Sequence, residues 1–374
     1  MNRFAALVFT FFFSACATGP RTDLRHPSAA GIAELLGPGE SLLADGLPGN
    51  EEDRAVLEFH ERLDLENAAN VLKLASGGSS CYLKVKGPDA RYPAGAFLTE
   101  NEATHTETEV AAYQIARWLG VSDTFGPGRP YEAGPRVAAA YAKLIRDAIA
   151  ANALSCSRLN ADVILKRLKQ RPDGITGIYK PFGPRPFDCD DLNGGTFSAN
   201  GGTVSTPNPN AQLHAYLKAS GPQPDERPIN LECIRKEMGS TKRSARLSDL
   251  SRQLSSIYLV DALTGQWDRF SGGNLQVVEV GADSYRFVSY DNGGADITGE
   301  WIFTEKLQLG VLERFDPKVL VRLEALQREL SPTLMTSLGV RAEHQAAFAK
   351  RLDAVLKHIA SLRKRYGRGI SFAG

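Results

Sequence analysis

The stretch that most constrains this chain runs from residue 247 to residue 294. Residues 247–263 have helical spacing and are largely apolar on one face, which predicts a helix packed into a core. The chain then turns through Gly265, Gly272 and Gly273. Residues 275–280 and 285–290 follow as two strands of a β-hairpin, turned at Gly281-Ala282-Asp283. Directly after the hairpin stands Tyr290-Asp291-Asn292-Gly293-Gly294. Such a sequence of elements leaves little freedom. It delivers Asp268, Asn274 and Asp291 to neighbouring loop tips on a rigid scaffold. Phosphoryl transfer needs that arrangement: one carboxylate to receive a hydroxyl proton, and oxygen ligands to hold Mg²⁺ or Mn²⁺ against phosphates.

Elsewhere the pattern gives strands early and helices late. Residues 51–65 have helical spacing, with Val56, Leu57, Phe59 and Leu63 on the apolar face. Residues 71–75 and 81–86 read as strands joined by Ser76-Gly77-Gly78-Ser79-Ser80. Residues 106–119 form a strong amphipathic helix, with Val110, Tyr113, Ile115 and Leu119 apolar and Gly120 as its stop. A Gly/Pro-rich linker spans 126–135, and helices are expected over 137–150 and 160–170. The Gly-, Pro-, Asn- and Asp-dense stretch 172–210 reads as a loop-rich insertion, its Asp188, Asp190 and Asp191 solvated. Two helices, 317–329 and 342–364, end the chain, whose basic residues 363–368 read as a solvated helix end. No internal repeat is visible. The fold class expected is α+β in two lobes: a strand-containing lobe over 51–135, middle helices and insertion over 136–240, and a mainly helical lobe over 241–374.

The segment Thr264-Gly265-Gln266-Trp267-Asp268-Arg269 and the later Tyr290-Asp291-Asn292-Gly293 resemble the catalytic and metal-binding loops of the protein-kinase-like superfamily. The likeness is nearest to the secretory-pathway kinases, the Golgi casein kinase and four-jointed group, which carry Gly-Asn-x-Asp-Arg-His, a hairpin, then Leu-Asp-Asn-Gly. HipA-type and phosphatidylinositol kinases are similar at greater distance. Gln266 stands where those secretory kinases have Asn, and Phe270 where they have His. Asn274 follows Asp268 by six residues where five is usual.

The resemblance implies a two-lobed kinase-like fold that binds ATP with Mg²⁺ or Mn²⁺. It makes Asp268 the catalytic base, or the orienter of the acceptor hydroxyl, and makes Asp291 and Asn274 metal ligands. It also asks for a strand lysine on the phosphates and a helix glutamate to hold it. Gly77-Gly78-Ser79-Ser80-Cys81-Tyr82-Leu83-Lys84 supplies a Gly-rich turn leading to a lysine. Glu109-Val110-Ala111-Ala112-Tyr113 is close to the family's Glu-Ile-Ala-Ala-Phe. On this basis Lys84 pairs with Glu109 and binds the nucleotide together with Gly77 and Gly78. Lys86, on the same strand face, is the alternative lysine, and Glu107 the alternative acid. The expected activity moves the γ-phosphate of ATP to a hydroxyl of a protein or glycan. A pseudokinase acting as a binding module and an AMP-transferring enzyme are the alternatives.

The N-terminus points to export. Arg3 precedes the uncharged, mostly apolar residues 4–13, a run about half the ~20 residues that a membrane-spanning helix needs. Ser14-Ala15-Cys16 after it resembles a lipobox. Residues 1–16 are therefore expected to be a lipoprotein signal peptide, with Cys16 the lipid-bearing first residue of an envelope protein. A secretory signal cut near Ala17 is the alternative. Residues 17–50, rich in Gly, Pro, Ala and Ser, read as a tether with at most one short helix, around 32–36. With 44 basic and 43 acidic residues, the chain lacks the basic surplus that a general nucleic-acid partner demands. Gly-x-Ser-x-Gly is absent, and no Cys or His pair has zinc-ligand spacing. In an oxidising compartment Cys81, Cys156, Cys189 and Cys233 allow three complete pairings. A bridge among the last three is expected, with Cys81 read either as a bridge partner or as a buried free thiol.

Overall fold

The computed structural model describes residues 34–373, apart from 78–79, 91–92, 102–104, 183–186, 200–201, 209, 230, 234–244, 272, 282–283 and 299–303. The expected signal peptide with Cys16, the first part of the expected tether, Gly78, and Ala282-Asp283 of the hairpin turn all lie outside the described residues. No helix among the described residues is long and apolar enough to cross a membrane.

The first lobe is built on a five-stranded antiparallel sheet. Its strands are β1 (Val71–Gly77), β2 (Ser80–Lys86), β3 (Ala94–Leu98), β4 (Arg129–Ala133) and β5 (Ile175–Pro181), in the spatial order β1-β2-β3-β5-β4. Helix α1 (Glu51–Arg62) starts in a capping box, where Asn50 and Asp53 each accept from the other's backbone N–H at 3.0 Å. Val56, Leu57, Phe59 and Leu63 are all buried, so the apolar stripe read from the sequence is the one that packs. Helix α2 (Thr106–Leu119) ends at Gly120 in the left-handed conformation. Helices α3 (Pro135–Ala150) and α4 (Arg158–Gln170) pack on each other and against β1 and β2 respectively. Their inner faces, with Phe97, Tyr179 and the Cys81–Cys156 bridge, form one hydrophobic core.

The second lobe assembles around α5 (Leu247–Thr264), of which fifteen of eighteen residues are buried. Against it lie α7 (Gln345–Tyr366) and the hairpin of β9 (Leu275–Gly281) and β10 (Ser284–Ser289), while α6 (Pro317–Glu329) packs on α2 and α7 in the same core. Helix α2 also buries its apolar residues in this second core, so it is shared between lobes. Trp118 donates its indole N–H to the Arg322 carbonyl at 3.1 Å across the junction.

Three expectations are corrected. The stretch 172–210 is not a loop-rich insertion: it holds β5, the short β6 (Phe187–Asp188) that pairs with β9, and a second hairpin of β7 (Asn193–Ala199) and β8 (Gly202–Pro207). The first lobe therefore continues through β5 rather than closing near residue 135. The tether ends earlier than residue 50, because residues 34–50 are packed: Leu47 is in the core, Asp45 pairs with buried Arg117, and Glu40 pairs with Arg322. Cys81 is not a free thiol, since its strand faces Cys156 with a Cα separation of 5.2 Å. Cys189–Cys233 is the other bridge, the kind expected among the last three cysteines.

Candidate functional site

The loop after α5 is held from inside. Gly265 caps the helix with φ +77, and a side chain there would meet the Asp296 carbonyl at 2.6 Å. Four residues on, Arg269 is fully buried, and its Nε and one terminal nitrogen reach the two oxygens of Asp261 at 2.8 Å each. The same guanidinium donates to Asn292 Oδ1 at 2.7 Å and to the Asn274 carbonyl. One fixed fork thus ties the end of α5 to both turns that carry the polar residues.

Asp268 stands on the open side of this knot. Ser271 donates to Oδ1 at 2.5 Å, and the Asn274 amide donates to Oδ2 at 3.0 Å and to the Asp268 carbonyl at 2.6 Å. The Asp268 N–H donates to Gln266 Oε1, while Gln266 Nε2 donates to the Asp291 carbonyl, both at 2.9 Å. Gln266 therefore bridges the two turns. Phe270 packs edge-on against Tyr258 in the core. Burial raises the Asp268 pKa above the ordinary aspartate range; the hydrogen bond from Ser271 opposes the rise, and the charge of Asp291 adds to it. The two carboxylates are thus close enough to repel. Gly294 makes the approach possible, since a Cβ there would sit 2.9 Å from Asp268 Cβ.

Asp291 is half-buried and accepts from the Gly293 N–H at 3.2 Å through Oδ1. Its neighbour Asn292 reaches the other lobe, with its N–H 3.2 Å from Glu109 Oε1 and its amide nitrogen 3.5 Å from Oε2. Glu109 in turn receives the Lys180 ammonium, at 2.9 Å from each of its oxygens, and the same ammonium donates to the Tyr290 carbonyl. The pair is nearly dry, with side-chain exposures of 7% and 1%. Burial pushes the Glu109 carboxyl up, and Lys180 only partly offsets that.

The expected Lys84–Glu109 ion pair is therefore corrected: Glu109 is held by Lys180, on β5. The reason is the strand order. Helix α2 packs against β4 and β5, and β2 lies beyond β3. Lys84 is opposite Ala96 and Ala96 opposite Lys180, so the two lysines share one face in one cross-sheet row. Lys84 is half-buried, its ammonium 5.7 Å from the Phe182 ring centroid. Lys86 is exposed at the end of β2, opposite Ala94. Gly77 ends β1 opposite Ser80. The alternative acid, Glu107, is spent elsewhere: it accepts from the Arg341 N–H at 2.7 Å and meets His344 at 2.8 Å.

Asp268 and Asn274 are joined directly, Gln266 links Asp268 to Asp291, and Glu109 meets the next residue, Asn292. Lys180 is the member that the sequence reading missed. Its signal was a lone lysine in the apolar run Ile175-Thr176-Gly177-Ile178-Tyr179-Lys180, a cation that has to find a partner once buried. Asn274 offers its amide nitrogen to Asp268, which leaves its oxygen as the atom available to a cation. Among the described residues, the one grouping of three Cys, His or acidic ligands is Cys189, Asp191 and Cys233. Its sulfurs are spent in a disulfide, so it offers no thiolate.

Beside the ion pair lies a cavity of about 260 Å³, with Phe125, Pro181, Phe182, Val278, Val288 and Tyr290 in its wall and Asp123 and Arg286 at its polar side. Whole-ligand sites run to roughly 300–1,000 Å³, so this one suits part of a ligand.

No family model and no curated protein matches this sequence. Solved structures do match its fold. A structure of the Golgi casein kinase superposes with a TM-score of 0.56 at 13% identity, covering 97% of this chain and 94% of the other. The Golgi casein kinase with Mn/ADP bound superposes with a TM-score of 0.54 at 14% identity, covering 85% and 78%. The chain has the two-lobed fold of that kinase.

Proposed function

We propose that this chain is an exported, divalent-metal-dependent kinase that moves the γ-phosphate of ATP to a hydroxyl of a protein or glycan. The observation that carries the reading is the linked set Lys180–Glu109–Asn292 beside Asp291, with Asp268 opposite it on the same rigid knot. A kinase-like fold similar to one seen with Mn/ADP adds weight. Phosphoryl transfer asks little covalent work of a protein; positioning and charge neutralisation carry the rate.

The residues fit a hard divalent cation. The donor set is oxygen only, the Asp291 carboxylate and the Asn274 amide oxygen, which suits Mg²⁺ or Mn²⁺. The negative charge of Asp291 also weighs on Asp268, so the site gains by holding positive charge. Such an ion supplies neutralisation of phosphate oxygens. Asp268 accepts the hydroxyl proton. Ser271 and Asn274 each occupy one lone-pair site per oxygen and leave others open, and its raised pKa brings it nearer the working range of a base. The adjacent cavity supports a nucleobase, with Val278 and Val288 on one wall and Phe182 on another.

Two buried disulfides support export, since such bridges persist in oxidising compartments. Lipid attachment at Cys16 would then hold the domain at the envelope membrane.

The test is transfer from γ-labelled ATP to a panel of hydroxyl-bearing proteins and glycans with Mn²⁺ or Mg²⁺, beside Asp268→Ala. Label on an acceptor with wild type and none with the variant is expected. Equal transfer by the variant removes Asp268 from the chemistry. A mass gain of AMP instead of phosphate identifies the alternative transferase, and no transfer to any acceptor points to a binding module.

A further inference from the structure

Helices α6 and α7 lie side by side in the second core, and Arg363 on α7 meets Glu324 on α6 at 2.6 Å. Their outer faces therefore form one surface. On α7, Lys350, Lys357 and Lys364 are all exposed and recur every seventh residue, which sets them in a single row about 10 Å apart along the helix. On α6, Lys318, Val321 and Arg328 are exposed and fall on one side at about 3.6 residues per turn. The acids nearby are few. Asp353, within the lysine row, is paired with Lys357 at 2.6 Å, Glu324 is spent on Arg363, and half-buried Glu329 closes α6. Residues 354–374 hold five lysines and arginines and no acidic residue, although the whole chain is nearly neutral at +1. Positive charge is thus gathered on this face rather than spread over the molecule.

Two further features say what kind of surface this face meets. Val321 is a large apolar residue left 52% exposed, and it stands between the two cations of α6. Cations around an apolar side chain suit a bilayer interface, where headgroups take the charge and the boundary below them takes the apolar group. The chain also enters the domain here. Arg322, next to Val321, donates to the Leu35 carbonyl at 2.9 Å and pairs with Glu40. Seventeen residues, 17–33, separate that entry from Cys16, a reach of at most roughly 60 Å. A lipid on Cys16 would therefore keep the domain near the membrane, with its point of attachment beside α6.

We propose that the α6–α7 face rests on an anionic phospholipid surface. Which membrane it meets depends on the envelope reading given above; the contact itself depends on charge and geometry. Each lysine or arginine near such a surface strengthens binding by about fivefold, and salt screens the attraction. The basic end of α7, which the sequence presents as a solvated helix end, then has a partner, and the domain is held in one orientation on the bilayer.

The experiment is vesicle co-sedimentation of the mature chain with Cys16→Ser, so that no lipid on the protein contributes. Vesicles are phosphatidylcholine alone or with about 30% phosphatidylglycerol. The chain should bind the anionic vesicles, ignore the neutral ones and let go at about 0.5 M NaCl. Adding Lys318→Gln/Lys350→Gln/Lys364→Gln should weaken binding by roughly 100-fold with the unfolding midpoint unchanged. Lys143→Gln/Lys166→Gln/Lys169→Gln removes as many exposed cations from the first lobe and should bind as before. Equal loss in the two triple variants would show a general charge effect and overturn the proposal. So would equal binding to neutral vesicles, no binding to either kind, or capture by heparin in place of anionic vesicles, the mark of a soluble polyanion as partner. The lipid anchor is tested apart, by the mass of the chain extracted from cells. An unmodified Cys16 there would remove the anchor and leave the vesicle result to decide the face.

Discussion

Asp261→Ala is the sharpest test of the knot beneath the site. Both Asp261 oxygens receive Arg269 at 2.8 Å, and the two side chains are 1% and 0% exposed. Removing the carboxylate strands a guanidinium in the core, with two remaining contacts to the Asn292 side chain and the Asn274 carbonyl. Breaking a buried pair in this way costs about 3–5 kcal/mol, a large part of the ~5–15 kcal/mol that holds a typical domain folded. Urea unfolding followed by tryptophan fluorescence reads this as a lower midpoint at constant slope. Asp261→Leu with Arg269→Met removes both charges and should recover much of the loss. Its turnover should stay low, because the guanidinium that ties Asn274 to the Asn292 side chain is gone. The exposed pair Lys143–Asp147, at 75% and 58% side-chain exposure, is the control: Lys143→Ala should move stability by no more than about 0.5 kcal/mol. If Asp261→Ala costs less than about 1 kcal/mol, the pair behaves as a solvated one and the reasoning fails.

Further outcomes are expected. His60 is buried and its pKa is depressed to about 4 from 6.5, burial being the main cause. Between those values the unfolded chain binds more protons than the folded one, so stability falls as pH drops from 6.5 toward 4. His60→Gln should flatten that slope, read from unfolding midpoints across the range, and an unchanged slope would contradict the assignment. Gly294→Ala puts a methyl 2.9 Å from Asp268 Cβ. It should cut kcat by about tenfold or more with ATP affinity retained, and full activity would show that Asp268 needs no close packing there. Cys81–Cys156 closes a separation of 75 residues, so Cys81→Ala/Cys156→Ala should cost about 4 kcal/mol in the chain-entropy account, measured by denaturant unfolding. A cost near zero would show the bridge dispensable.

What was legible in the sequence was local. Helix α5 and the hairpin announce themselves through a change from helical spacing to alternation within one continuous stretch. Asp268, Asn274 and Asp291 inherit their placement from that stretch alone. Lys180 was hidden because β5 is a central strand flanked by Pro172 and Gly174, broken by Gly177 and ended by Pro181, residues that punctuate loops far more often than strands. Its place between β3 and β4 is a long-range pairing that no local pattern encodes. The Lys84 reading failed at the same step: the order along the chain suited a lysine–glutamate pair, and the order across the sheet gave the glutamate another lysine. Residues 34–50 looked like tether by composition. Their anchors, Arg117 for Asp45 and Arg322 for Glu40, lie far along the chain.

The central claim is a metal-dependent nucleotide site built on Asp291. Thermal unfolding of the mature domain with ATP plus Mn²⁺ or Mg²⁺, beside Asp291→Ala, tests it most directly. Ligand at 100 times its dissociation constant adds about 2.7 kcal/mol, a rise of roughly 2 °C or more in the midpoint. The account predicts a rise that requires metal and disappears in Asp291→Ala. A midpoint that no nucleotide and metal combination moves, or a rise that Asp291→Ala keeps in full, would contradict it.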